Sequence, residues 1–419
     1  MARLWDKGKA LDQRILEFTA GEDHKLDERL VAYDVAASIA HARMLESQAL
    51  IGAADCKAIV AGLAALGEAH ANGEWSIELA DEDAHTALER RLVEQIGEAG
   101  GRVHLGRSRN DQVLAALRLY MKDAIADLAG QTGAVVAALE ALAGRQGEVE
   151  LPGYTHMQPA MPSTVALWAL GFAAELADDR DGLIAAGRRA DKSPLGSAAG
   201  YGTPGLPIDR EATRAALGFK SVHEPVTAVQ LARGKAEASL LFELTLVTGD
   251  LARLAADLLL YYMAELAFVA LPDSMTTGSS IMPQKRNPDV FELVRAASAT
   301  LQGALVESLA ITARLPSGYH RDLQRLKSPL FRGIDLTLDC LGIMAHALGS
   351  IEFRPGNIAL GPELRAAERA NELVVRQGLA FREAYRQVAA ELERERERAA
   401  PEGPAQDGPA RSDAGRKHR

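Results

Sequence analysis

Apolar residues recur along most of this chain at spacings of three and four, the pattern of helices that bury one face. From Asp111 the stripe runs through Val113, Leu117, Tyr120, Ala124 and Leu128, then continues to Val135, Leu139 and Leu142. A second stripe follows a turn at Pro159 to Pro162, with Ser163 as helix cap and Val165, Trp168, Phe172 and Leu176 as the apolar face. Three more long helices are expected at about Gln230 to Phe268, Val290 to Arg314 and Leu330 to Leu348. Apolar residues circle much of the first of these, which implies burial on several sides, as in the centre of a bundle. Shorter helices are expected at Leu26 to Ala49 and Ala84 to Ile96, and no alternating strand pattern of comparable strength stands out.

The fold class predicted is all-α. An elongated central bundle, residues 106–352, joins a smaller N-terminal helical domain, 1–105, to a short C-terminal helical domain, 353–398. Phe353 to Gly361, carrying Pro355, reads as a linker, and Glu363 to about Arg394 as the small helical unit after it. From about residue 399 to 419 the chain turns to Pro, Gly, Asp, Arg and Lys, which predicts a disordered tail.

Composition narrows the function classes. A formal charge of −10 argues against a general nucleic-acid or membrane-surface role, since neither polyanion would be attracted. It leaves an anionic small molecule open, because local Arg and Lys decide that. The two cysteines, Cys56 and Cys340, are far apart in sequence and fit a reducing cytoplasm better than a disulfide framework. Met1 to Lys7 lacks the apolar run of a signal peptide. The most apolar window, Leu258 to Pro272, contains Glu265 and reads as a buried helix rather than a membrane span. No paired metal-ligand spacing, phosphate-cradling loop or dinucleotide fingerprint is present, so no cofactor is expected.

The segment Leu271 to Asp289 has no helical or strand period and contains four Gly or Pro residues, the mark of a functional loop. Ser279 and Ser280 offer hydroxyls beside Gly278, while Lys285 and Asn287 offer a cation and an amide. A hydroxyl base near a fixed positive charge suits removal of a proton beside a carboxylate, where negative charge builds up. For an isolated Ser-Ser pair, simple loop formation would be the better reading. Ser108, Arg109 and Asn110 open the first long helix, whose free N–H groups and Arg could hold a carboxylate. Capping by Ser108, with Arg107 and Arg109 in solvent, fits those residues equally well.

Gly278–Asp289 is similar to the signature loop of the fumarase and aspartase superfamily of lyases, and Gln284 before Lys285 resembles its argininosuccinate lyase branch. Gly106–Val113 and Gly153–Gln158 resemble the other two signature regions of that branch, and the likeness extends from about Glu22 to Leu392. The resemblance implies reversible cleavage of argininosuccinate to arginine and fumarate, without a cofactor, by a cytoplasmic homotetramer whose sites draw on several subunits. It implies Ser279 as general base, with Lys285 and Asn287 holding the charge that develops. His156 would handle the leaving-group proton, oriented by Glu292, and Thr155 would bind substrate beside it. By itself His156 would more often be structural, and Glu292 a dipole-complementing acid near a helix start. The same resemblance makes Ser108, Arg109, Asn110 and His85 substrate-binding residues. Tyr319, Asp322, Gln324 and Lys327 match the segment that grips the amino-acid end. Some positions depart from the family pattern: Gly21, Pro159, Met161 and the Arg-bearing stretch around Arg321 and Arg325. Thr19 could supply the hydroxyl that Gly21 lacks. Another fumarate-releasing lyase, or a non-catalytic structural protein on the same scaffold, remain the alternatives.

Overall fold

The computed structural model describes residues 12 to 399. The first seven residues of the chain, and residues 400–419 of the compositional tail, lie outside the described residues. The fold is helical, and its three two-stranded sheets have strands of two to seven residues. Contacts divide the chain into two units. One runs to Gln146 and resumes over Ala166–Arg354; the other combines Gly147–Val165 with the residues from Pro355 onward.

Within the first unit, α1 (Val31–Ser47), α2 (Ala53–Ala71) and α3 (Ala84–Ile96) enclose a core of Val31, Leu45, Ile59, Leu63, Leu88 and Leu92. The α3 bounds are those the apolar spacing predicts. The expected helix from Leu26 instead begins as a separate turn, Asp23–Leu26, followed by a 3-10 turn, Asp27–Leu30. Next comes α4 (Arg109–Gln146), whose 38 residues span about 57 Å at 1.5 Å per residue. Leu117, Met121, Leu128, Val135, Leu139 and Leu142 are its buried positions, at the predicted spacing. Length and apolarity would also suit α4 to a membrane, but Asp111, Gln112 and Arg118 are buried along it. It packs on α1 and on α8 (Lys327–Ser350), as a soluble core helix does.

The other long helices of this unit are α5 (Val165–Ala190), α6 (Lys235–Tyr262) and α7 (Asp289–Thr312). Helices α6, α7 and α8 pack on one another. A Cβ at Gly333 would lie 2.6 Å from the Leu241 side chain and 3.1 Å from that of Leu301, so a larger residue there would force those leucines to shift where α8 approaches. The helix expected over Gln230 to Phe268 is broken at both ends. Gly234, at φ +83°, separates α6 from the short helix Val226–Leu231. Past Tyr262 the chain must become extended, because Val269–Ala270 pairs antiparallel with Glu352–Phe353.

In the second unit, β1 (Glu150–Thr155) and β2 (Gln158–Thr164) form an antiparallel hairpin. Thr155 pairs with Gln158, so His156 and Met157 are the two loop residues. Both have positive φ, 53° and 61°, as tight hairpin loops require. The turn expected at Pro159 to Pro162 is therefore strand. Ser163 pairs with Leu151 rather than capping a helix, because the hairpin persists until the helix starts at Val165. Helices α9 (Ala366–Gln377) and α10 (Phe381–Ala399) complete this unit around Ala370, Ala384 and Val388.

Candidate active site

A cavity of about 140 Å³ in the first unit collects residues from five distant segments. His85, Arg109, Asn110, Tyr319, Gln324 and Lys327, all singled out in the sequence, line it. Ser108, Asn287, Ser279 and Lys285 do not.

Helix α3 presents the acidic wall. Asp83 is extended at its N-cap and accepts from the Thr86 N–H at 3.0 Å. That places His85 in the first turn, 7% exposed. Arg109, first residue of α4, donates from Nε to His85 Nε2 at 3.0 Å and from Nη2 to Asp83. The His85 Nε2 atom is also 3.1 Å from Asp83 Oδ1. Burial pushes the Asp83 carboxyl up, yet His85, Arg109 and the Thr86 N–H outweigh it and hold it well below the usual carboxylate range.

Lys327 forms the floor. Its Nζ is 2.5 Å from Asp27 Oδ1 and 3.0 Å from Asp23 Oδ2, both ion pairs away from solvent. Burial raises the Asp23 carboxyl to about 6, with Lys327 opposing the rise and Asp27 adding to it. Gln324 donates from Nε2 to the Thr19 and Ala20 carbonyls at 3.0 and 3.1 Å, tying down the N-terminal segment. Arg321 joins that anchor, donating to the Thr19 carbonyl at 2.8 Å and pairing with Glu82 at 3.2 Å. The Thr19 hydroxyl donates to the Ile15 carbonyl at 2.7 Å, within its own helix, and so is no replacement for a Gly21 hydroxyl.

Sequence reasoning missed five of the lining residues: Asp23, Asp27, Glu82, Asp83 and Arg233. The spacing of Asp23 and Asp27 by four was a signal in principle, but solvated helix faces show the same pattern. Ser108 is the cap its second reading foresaw, its Oγ accepting from the Asn110 N–H at 3.3 Å. Arg107 is not in solvent: it is buried and donates to Ser38 Oγ at 2.9 Å.

The Ser279 loop has its own architecture. Thr277 and Asn287 exchange both backbone hydrogen bonds, at 3.0 and 2.9 Å, closing a neck below Gly278–Arg286. The Thr277 hydroxyl bonds Asp289, and the Asn287 amide reaches Thr277 Oγ1 and the Gly278 carbonyl, each at 3.4 Å. Inside the loop, Ser279 Oγ accepts from the backbone N–H groups of Met282 at 3.2 Å and Ile281 at 3.4 Å. Two N–H dipoles aimed at a hydroxyl oxygen favour its deprotonated form. Ser279 is half-buried, Lys285 exposed, and Glu292 exposed in the first turn of α7. Thr155 and His156 are exposed at the hairpin tip of the second unit.

The sequence signature of a family described as lyase matches residues 9–303. The chain is 48% identical over 392 residues to the argininosuccinate lyase of Sorangium cellulosum, covering 93% of this chain and 90% of that one. It is 39% identical to the argininosuccinate lyase of Thermotoga neapolitana, covering 94% and 99%. Among solved structures it resembles EDDS lyase in complex with formate, at TM-score 0.78 and 24% identity over 93% of this chain and 78% of that one. The class II fumarase of Schistosoma mansoni matches at TM-score 0.77 and 17% identity, covering 90% and 88%.

Proposed function

The chain belongs to the lyase family, in its argininosuccinate lyase branch, and on that premise we propose how its residues share the reversible cleavage of argininosuccinate to arginine and fumarate. The protein is a carbon–nitrogen lyase. Ser279, as alkoxide, removes a carbon-bound proton of the succinyl half. The electron pair left on carbon is delocalised into the neighbouring carboxylate, whose charge Lys285 meets. Collapse of that intermediate forms the carbon–carbon double bond and breaks the carbon–nitrogen bond. The departing guanidino nitrogen receives a proton, a step assigned to His156, with Glu292 fixing the orientation of the imidazole. Arg109, Asn110, His85, Tyr319, Gln324 and Lys327 hold substrate or the wall around it. Thr155 acts beside His156, Ser108 caps the helix that carries Arg109, and Asn287 keeps the loop neck closed.

The observation that carries the reading is the meeting of His85, Arg109, Asn110, Tyr319, Gln324 and Lys327 in one cavity. The setting proposed is arginine biosynthesis in the cytoplasm by a homotetramer whose active sites are shared between subunits. The test is the ultraviolet absorbance of fumarate released from argininosuccinate, with adenylosuccinate as control. Release from argininosuccinate alone is expected. Release from adenylosuccinate only would move the chain to another branch, and release from neither would leave the structural alternative.

A further inference from the structure

Helix α4 brings Arg109 and Asn110 to the cavity from its first turn, but the next residue, Asp111, lines no part of it. Asp111 is fully buried, and its carboxylate accepts three backbone N–H groups. Oδ1 takes that of Ser108 at 2.9 Å, inside the turn that starts α4. Oδ2 takes those of Gly196 at 3.1 Å and Ala198 at 2.9 Å. One side chain thus ties the start of the helix to a segment remote in sequence.

That segment is held on every side. The Ser197 carbonyl accepts from the Gly200 and Gly202 N–H groups at 2.8 and 3.0 Å, and Arg210 Nε donates to the Leu195 carbonyl at 2.9 Å. Farther along α4 the buried Arg118 donates to the Lys192 carbonyl at 2.6 Å, so the helix grips the segment twice. Its outer part leans on two other walls of the cavity. A Cβ at Gly200 would lie 2.9 Å from Gln230 Cγ, and the Gln230 carbonyl accepts from the N–H of the cavity-lining Arg233 at 3.2 Å. The Tyr201 hydroxyl is 3.4 Å from where a Cβ on Gly318 would stand, beside the cavity-lining Tyr319.

Resting on the lyase reading above, we propose that Asp111 is a positioning residue. It braces the start of α4 against residues 194–202, and so sets where Arg109 and Asn110 stand relative to the Arg233 and Tyr319 walls. The brace needs the charged carboxylate. Three N–H donors meet two acceptor oxygens; a proton on either oxygen turns it into a donor facing N–H, and at least one bond is lost. Burial raises the carboxyl to about 6, against the three N–H groups and Arg107. The charged groups facing it are Arg107, before α4, and Arg210, and a guanidinium stays charged throughout this range. An amide at this position imitates the protonated acid at every pH.

The test is calorimetric binding of argininosuccinate to Ser279→Ala, in which turnover is blocked, with and without Asp111→Asn, from pH 5 to 7.5. At pH 7.5 the added Asp111→Asn should weaken binding by about tenfold, the scale of one charge-assisted hydrogen bond. At pH 5 the two proteins should agree within about threefold, because the wild-type carboxyl is then mostly protonated. With Ser279 intact, Asp111→Asn should raise KM by about tenfold and leave kcat within about threefold, the pattern of lost uniform binding. A binding ratio that is the same at both pH values overturns the proposal, since a merely structural residue would give that. Equal affinity at pH 7.5, or a loss confined to kcat, overturns it too. If Asp111→Asn does not fold, Ser279→Ala alone decides: affinity unchanged between pH 7.5 and 5 overturns the brace, and affinity falling toward pH 5 supports it. The lyase reading fails separately, if the wild type releases no fumarate from argininosuccinate.

Discussion

Ser279 shows how far single residues could be read. Its loop was legible because Gly, Pro and paired hydroxyls interrupt every period on both sides of it. What the sequence could not display is that two backbone N–H groups turn toward its oxygen, since that depends on the neck between Thr277 and Asn287. As proposed base, Ser279→Ala should fold as the wild type does and lose turnover by about 10²-fold or more, the usual scale for a positioned base. Matching melting temperature with near wild-type turnover would remove Ser279 from the mechanism. Asp23, Asp27 and Arg233 were not legible for a different reason. Each occupies an ordinary position near a helix end, and only the folding of distant segments against one another gives them cavity roles. Arg233 in particular was absorbed into a helix that Gly234 in fact interrupts.

Among elements, the long helices were legible because burial at every third or fourth position leaves a strong period. The breaks were not, because they answer to partners far away in sequence. Asp111 is one such partner. At the start of α4 it accepts from the Ser108 N–H at 2.9 Å and, across 85 and 87 residues, from Gly196 at 3.1 Å and Ala198 at 2.9 Å. Burial raises its carboxyl to about 6, against the pull of those N–H groups and of Arg107. The native chain therefore holds this proton between about pH 4 and 6, where the unfolded chain has lost it. The resulting stabilisation is present below about pH 4 and disappears as pH rises through 6, by up to about 3 kcal/mol at 1.36 kcal/mol per unit. Asp111→Asn lacks this titration. The stability of the wild type relative to that variant, from urea unfolding, should accordingly be larger at pH 4.5 than at pH 7. A gap that widens with rising pH would mean that the N–H clamp outweighs burial and the charged form is the favoured one.

At the scale of the molecule, one chain leaves much apolar surface uncovered on its long helices. Leu167, Leu170 and Ile184 on α5, Phe242 and Leu246 on α6, and Leu293, Val306 and Leu309 on α7 are all exposed, Leu293 by 72%. Exposed apolar side chains repeated along three long helices are the material of a subunit interface, and self-association by closed symmetry is the common solution. That supports the proposed homotetramer. It also fits the exposure of His156, at a hairpin tip with both loop residues at positive φ, which another copy could receive. If His156 and Ser279 serve one site from different chains, two dead variants should rescue each other. His156→Asn and Ser279→Ala, denatured and refolded together, would assemble some sites that carry neither lesion. Activity should then return to a minority of the wild-type level, while each parent alone stays inactive. Mixed tetramers confirmed by mass and still inactive would rule out shared sites, and a monomer in solution at micromolar concentration would rule out the assembly itself.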